Sequence, residues 1–202
     1  ADNHEDYIAE LKPEIFKHTI AIGPGIGMDE QTQLLLKRII QETNQPLVLD
    51  ADALNILAEN RTWLSFLPQG TIITPHPGEF KRLVGDWQSD FERLQKQVDF
   101  AQKFGIYVVL KGRHSSIACP NGEVYFNSTG NPGMATGGSG DALTGIIVSF
   151  LAQNYAPKEA TILGVYVHGL AGDIAAEKWG EISMLPSDLI ESLADAFKHL
   201  NA

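Results

Sequence analysis

Five glycines, Gly130, Gly133, Gly137, Gly138 and Gly140, fall within eleven positions, and the stretch that holds them ends on a carboxylate, Asp141. So much glycine costs conformational entropy, and the usual return is close backbone approach or unusual φ/ψ angles. The run that follows, Ala-Leu-Thr-Gly-Ile-Ile-Val-Ser-Phe-Leu-Ala-Gln from Ala142, is apolar nearly all round, the mark of a buried helix. A glycine loop feeding a helix presents free N–H groups and the positive end of the helix dipole, which together favour an anion such as phosphate. A carboxylate at the lip of such a cradle can take the proton of a hydroxyl facing the phosphate, and phosphoryl transfer needs little more than positioning and charge neutralisation. The plainer alternative is a glycine turn with Asp141 as the N-cap; both readings put Asp141 where the helix begins.

Other chemistries find less support. No G-x-x-x-x-G-K-[ST] occurs, and Gly23-Pro-Gly25-Ile-Gly27 lacks the G-x-G-x-x-G spacing of a dinucleotide site. No Cys/His cluster or H-E-x-x-H suggests zinc, and Ser139, in Gly-Gly-Ser-Gly-Asp, lacks the spacing of a hydrolase elbow.

The elements that must position these residues alternate. Short apolar runs at 19–22, 46–50, 71–74 and 106–111 read as strands, the second apolar throughout, as in a parallel sheet buried on both faces. Segments 115–118 and 124–127 flank Asn121-Gly122, a strong hairpin signal. Helices are expected over 31–41, 52–59, about 89–104 behind the capping box Ser89…Glu92 and before Gly105, then after the glycine loop, and over 157–178 and 186–200. Pro75-His-Pro77 is expected to stop the third strand. Such alternation predicts an α/β domain with a mostly parallel sheet and an antiparallel hairpin near 115–127. Ligands in such sheets bind at the carboxyl ends of the strands. Segments 23–27, 50–52, 74–79, 111–115 and 127–141 all follow strands and should converge there.

The 202 residues are 44% hydrophobic and 20% charged, ordinary for a globular chain with a real core. A net charge of -10 argues against a general nucleic-acid or anionic-membrane binder while leaving room for a local nucleotide pocket. A single Cys119 excludes internal disulfides and fits a reducing, cytoplasmic setting; no signal peptide or membrane-length apolar run is visible. No linker or repeat interrupts the chain, so 1–202 is read as one domain, with 1–18 polar surface; Ala1 in place of an initiator Met suggests a cut or processed piece.

Several long, ordered motifs carry a resemblance. Asn131-Pro-Gly-Met-Ala-Thr-Gly-Gly-Ser-Gly-Asp141, Val48-Leu-Asp-Ala-Asp-Ala-Leu-Asn55, Thr74-Pro-His-Pro-Gly-Glu-Phe80, Val109-Leu-Lys-Gly112 and Gly164-Val-Tyr-Val-His-Gly-Leu-Ala-Gly-Asp173 resemble the ADP/ATP-dependent NAD(P)H-hydrate dehydratases of the ribokinase-like superfamily, from about Ala21 to Leu200. The resemblance implies a three-layer α/β/α fold, with N-terminal strands of the family lacking here. It implies an enzyme that moves a phosphoryl group from ADP or ATP, with Mg²⁺, onto the ring hydroxyl of hydrated NADH or NADPH and then expels phosphate. By the same resemblance Asp141 is the base and contacts the hydrate. Gly138, Ser139 and Gly140 form the anion hole. Lys111, Gly112, Arg113, His114 and Ser115, with Gly140, hold the nucleotide, and Gly27 and His76 touch the hydrated cofactor. Glu79, in His-x-x-Glu where ribokinase-like enzymes often carry Asn-x-x-Glu, takes an indirect magnesium role. A symmetric homo-oligomer is also implied.

Against these stand plainer readings: Lys111 an ordinary strand-end lysine, His76 packed in a turn, Asp50 and Asp52 capping the next helix, His168 and Asp173 packing groups on a small-residue helix (the alternative being that this helix borders the adenine), and Trp63, Trp87 and Trp179 core or surface-groove residues. The competing functions are a ribokinase-like small-molecule kinase of the thiazole-kinase type and a non-catalytic nucleotide-binding module.

Overall fold

The computed structural model describes residues 13–200. Within these residues six strands, β1 (Ile20–Ile22), β2 (Leu47–Leu49), β3 (Ile72–Ile73), β4 (Tyr107–Leu110), β5 (Ser116–Ala118) and β6 (Val124–Phe126), form one sheet in sequential order. β1 to β4 pair in parallel; β5 and β6 return antiparallel, around the Asn121-Gly122 turn. The register sets Val48 against Ile72 and Leu49 against Ile73. Each expected strand is present, shorter by a residue or two.

Among the described residues seven α-helices accompany the sheet: α1 (Glu30–Glu42), α2 (Ala51–Glu59), α3 (Pro77–Val84), α4 (Asp90–Phe104), α5 (Ser139–Ala152), α6 (Pro157–Trp179) and α7 (Pro186–Leu200). Because strand side chains alternate in direction, the sheet feeds two cores. Leu47, Leu49, Ile73, Val108 and Leu110 join α1 to α4 in one; Val48, Ile72, Val109 and Ile117 join α5 to α7 in the other. This is the expected three-layer arrangement. Residues such as Leu49, Ile56 and Ile73 are 0% exposed, each stabilising the fold by about 1.5–3 kcal/mol relative to exposure.

Three boundaries differ from expectation. Pro75-His76-Pro77 does end a strand, but Pro77 also opens α3, because proline at a first helical position sacrifices an N–H that has no partner there anyway. α5 begins at Ser139 with Gly138 as its N-cap, so Asp141 is the third residue of the helix and not its cap. α2 begins at Ala51 with Asp50 as its N-cap, one position earlier than expected. The expected polar surface at 1–18 lies mostly outside the described residues; a 3-10 turn at Pro13–Lys17 buries Phe16. Trp63 and Trp87 pack on the first core, whereas Trp179 is exposed.

Candidate active site

The carboxyl ends of β2, β3 and β4 bring together charges that lie far apart in the chain. Lys111 follows β4, and its Nζ stands 2.7 Å from Asp50 Oδ1 and 3.9 Å from Glu79 Oε2. Asp50 is 1% exposed. A carboxylate there is tolerable only if paired and hydrogen-bonded. Its Oδ1 also accepts from the Ala51 N–H at 2.8 Å, and its Oδ2 accepts from Thr144 Oγ1 of α5 at 3.2 Å. Asp50 thus caps α2, as the sequence suggests, and also serves as counter-ion to Lys111. A Cβ placed on Gly140 would lie 3.3 Å from Lys111 Nζ and 3.5 Å from Asp50 Oδ2, so the ion pair sits against the first turn of α5. A lysine ammonium and the first turn of a helix therefore meet, an arrangement that favours an anion, with the Ser139 N–H donating to the Thr136 carbonyl at 3.3 Å.

Gly23 shows how tightly this floor is assembled. It turns the chain after β1 at φ +142°, and a Cβ there would stand 1.8 Å from the Asp50 carbonyl oxygen. The turn then runs out to Gly27, whose N–H donates to Asp52 Oδ2 at 3.0 Å.

The glycine loop is anchored along α6. Asp173 accepts from the Gly130 N–H at 2.8 Å and from Asn131 Nδ2 at 2.9 Å; Thr129 Oγ1 donates to the Tyr166 carbonyl at 2.9 Å; Asn131 Oδ1 accepts from the Gly133 N–H. His168 adds the last anchor, its Nε2 lying 2.9 Å from the Ser139 carbonyl and 3.3 Å from Ser139 Oγ. A carbonyl only accepts, so Nε2 carries a proton and cannot serve as base toward Ser139, which removes any Ser–His nucleophile pair here. Burial, with the Lys111 charge adding to it, pushes the His168 pKa down to about 4, opposed by the bond to Ser139.

At the mouth of β3, His76 caps α3. Its Nδ1 accepts from the Gly78 and Glu79 N–H groups at 2.9 and 3.3 Å, while Glu79 Oε2 accepts from the His76 N–H at 2.7 Å. The His-x-x-Glu spacing is thus a capping box. His76 remains half exposed, and Glu79 is buried.

A cleft of about 710 Å³ opens over these groups, within the range of small-molecule sites. Lys111, Gly112, Arg113 and Ser115 line it, as do Ser139, Gly140 and His76. Gly138, His114 and Glu79 stand outside its lining, and so do Gly27 and Asp141, which are exposed on the surface. The residues expected to hold a nucleotide therefore share the cleft apart from His114, and two of the three expected to touch the second substrate lie beyond it. The cleft also uses Thr129, Met134, Leu143, Val165 and His168. Met134, Val165 and His168 belong to the motifs themselves, and Thr129 and Leu143 flank the glycine loop; sequence patterns assign none of the five a firm role in the site.

Comparison with known proteins identifies the family. The profile of a family described as NAD(P)H-hydrate dehydratase matches residues 5–195. The chain is 43% identical over 183 residues to the bifunctional NAD(P)H-hydrate repair enzyme Nnr of Moorella thermoacetica, covering 90% of this chain and 34% of that protein. It is 43% identical over 165 residues to the ADP-dependent (S)-NAD(P)H-hydrate dehydratase of Neisseria meningitidis serogroup B, covering 79% of this chain and 55% of that one. The chain thus spans about a third to a half of the length of these relatives. Among solved structures it resembles the ADP/ATP-dependent NAD(P)H-hydrate dehydratase of Bacillus subtilis, co-crystallised with ATP and Mg²⁺, with a TM-score of 0.78 at 31% identity over 90% of this chain and 66% of that one. A ribokinase-like superfamily protein of Enterococcus faecalis matches with a TM-score of 0.77 at 34% identity over 93% of this chain and 66% of that one, so the sheet and its two helical layers are of the ribokinase-like type. The chain belongs to the NAD(P)H-hydrate dehydratase family.

Proposed function

We propose that this protein restores hydrated NADH or NADPH at the expense of ADP or ATP, ADP being favoured. The observation that supports this most directly is the meeting of Lys111 with the start of α5, the helix whose third residue is Asp141. In this reading the nucleotide lies in the cleft along Lys111 to Ser115 and Gly140. Its transferring phosphoryl group rests on the N–H groups at Gly138, Ser139 and Gly140, with the Lys111 ammonium offsetting its charge. Asp141 takes the proton of the ring hydroxyl from the exposed side of the cradle, and Gly27 and His76 touch the hydrated cofactor. The hydroxyl oxygen then attacks phosphorus and the shortened nucleotide departs. Phosphate leaves the ring carbon together with a proton from its neighbour, restoring the double bond.

Magnesium enters this reading with the nucleotide's phosphates. Among the described residues no three His, Cys, Asp or Glu side chains converge as a metal cage. The Glu79 carboxylate, the residue expected to help indirectly, is engaged by the His76 N–H and stands 3.9 Å from Lys111 Nζ.

The test is a spectroscopic assay with hydrated NADH, Mg²⁺ and either ADP or ATP, following the absorbance of the restored nicotinamide ring. A nucleotide-dependent rise is expected, and Asp141→Asn should lower its rate by at least about 100-fold, the scale of a lost general base, while ADP still binds. Phosphorylated hydrate accumulating without absorbance would instead mean a kinase that stops at transfer. Nucleotide binding with neither product would mean a binding module.

A further inference from the structure

Resting on the nucleotide reading of the cleft, we infer that His168 is a nucleotide-binding residue whose Nδ1 accepts a hydrogen bond from a ribose hydroxyl. Three observations converge on this. The ring lines the cleft, between residues of α5 and the loop over α6. Its Nε2–H is committed to Ser139, at 2.9 Å from the carbonyl and 3.3 Å from the hydroxyl. With the proton on Nε2 in a neutral ring, Nδ1 is a bare acceptor. Among the described residues no buried side-chain nitrogen or oxygen lacks a hydrogen-bond partner, and Nδ1 joins none of the ring's hydrogen bonds, so Nδ1 is an accessible atom of a ring that lines the cleft. Burial keeps the ring neutral, and therefore an acceptor, down to a pH of about 4.

The phosphate end of the cleft is rich in donors: the N–H groups of the first turn of α5 and the Lys111 ammonium. An acceptor is of no use to phosphate. It suits the part of a nucleotide that carries donors. Because the ring is pinned to Ser139 in the phosphate cradle, the donor group within its reach is on the sugar, next to the phosphates, rather than on the base.

The experiment measures calorimetric binding, without hydrated cofactor, of ADP, 2′-deoxy-ADP, 3′-deoxy-ADP and purine riboside diphosphate, which lacks the amino group. Wild type, His168→Gln and His168→Asn are compared. Glutamine can reach Ser139 as Nε2 does but offers nothing at the Nδ1 position; asparagine can place its oxygen there. Wild type should bind ADP about fivefold to tenfold tighter than one of the deoxy analogues, the scale of one hydrogen bond. His168→Gln should bind the two alike, and His168→Asn should keep the preference. A wild-type preference that survives His168→Gln overturns the inference, as does the absence of any deoxy preference in wild type. Loss of the preference in both variants still supports the inference, since glutamine keeps the Ser139 contact and lacks only the acceptor, whereas a His168-dependent preference for the amino group overturns the ribose assignment. Failure of wild type to bind ADP at all removes the nucleotide reading itself, and this contact with it.

Discussion

Asp50 and Lys111, 61 positions apart, show how a single residue can hold a place in both the structure and the chemistry. Removing one partner of such a pair strands a buried charge, which typically costs more than the pair itself contributes. Asp50 is therefore bound to Lys111 by stability as much as by any catalytic need. His168 makes a complementary case, because its buried ring resists the proton it would take in water. Its pKa falls from 6.5 to about 4 on folding. Between those values the unfolded chain binds a proton that the native state does not, so stability rises with pH across that window and is flat above it. From pH 7.5 to pH 5 this one group should cost about 2 kcal/mol of stability. Urea unfolding of wild type and His168→Gln at both pH values checks it: the variant should lose about 2 kcal/mol less than wild type. Equal losses in the two proteins would mean that His168 titrates freely.

At the level of the element, the start of α5 is the critical joint. Gly138 caps it at φ +97°, a conformation that residues with a Cβ rarely adopt, and a Cβ there would meet Pro186 Cγ at 3.3 Å. Gly138→Ala should therefore destabilise the protein by about 1–2 kcal/mol. It should also weaken ADP binding several-fold, because the N–H groups that follow would be re-aimed. Thermal unfolding and calorimetry read the two effects separately; unchanged ADP affinity in a folded variant would show that the α5 start is not the phosphate site. The same joint explains Asp141. As the third residue of α5 it still lies in the turn where the dipole favours a negative charge, although the capping position belongs to Gly138.

Across the whole molecule, stability should follow the sheet. β2 and β3 have neighbours on both sides and are fully buried, while β1 and β6 are its edges among the described residues, and β1 is only half buried. Local opening draws on regions with fewer buried contacts. In native-state hydrogen exchange, Val48 and Leu49 should exchange only on global unfolding, and Ile20–Ile22 at least about 30-fold faster, a difference of about 2 kcal/mol. Equal protection along β1 and β2 would place β1 inside the cooperative core. The two helical layers share this sheet, which couples the floor of the cleft, at the ends of β2 to β4, to the most protected strands.

The strands, the hairpin, the glycine loop and the buried helix behind it were legible in the chain because their signals are local. Apolar runs of four to six residues, an Asn-Gly pair and a cluster of glycines before a continuous apolar stretch each depend on neighbours in sequence. The motifs carrying Lys111, His76 and the 138–141 turn were recognisable for the same reason. Local patterns could not reveal α3, since Pro75-His76-Pro77 reads equally as a strand stop and as a helix start until the His76 and Glu79 side chains are seen to cap it. Nor could they tell which carboxylate would meet Lys111, or that His168 would bind Ser139 and Asp173 the glycine loop. Those pairings follow from sheet order and from the packing of α6 over α5. Their partners are dozens of residues apart, so only burial in a shared interior gives these polar groups reason to find one another.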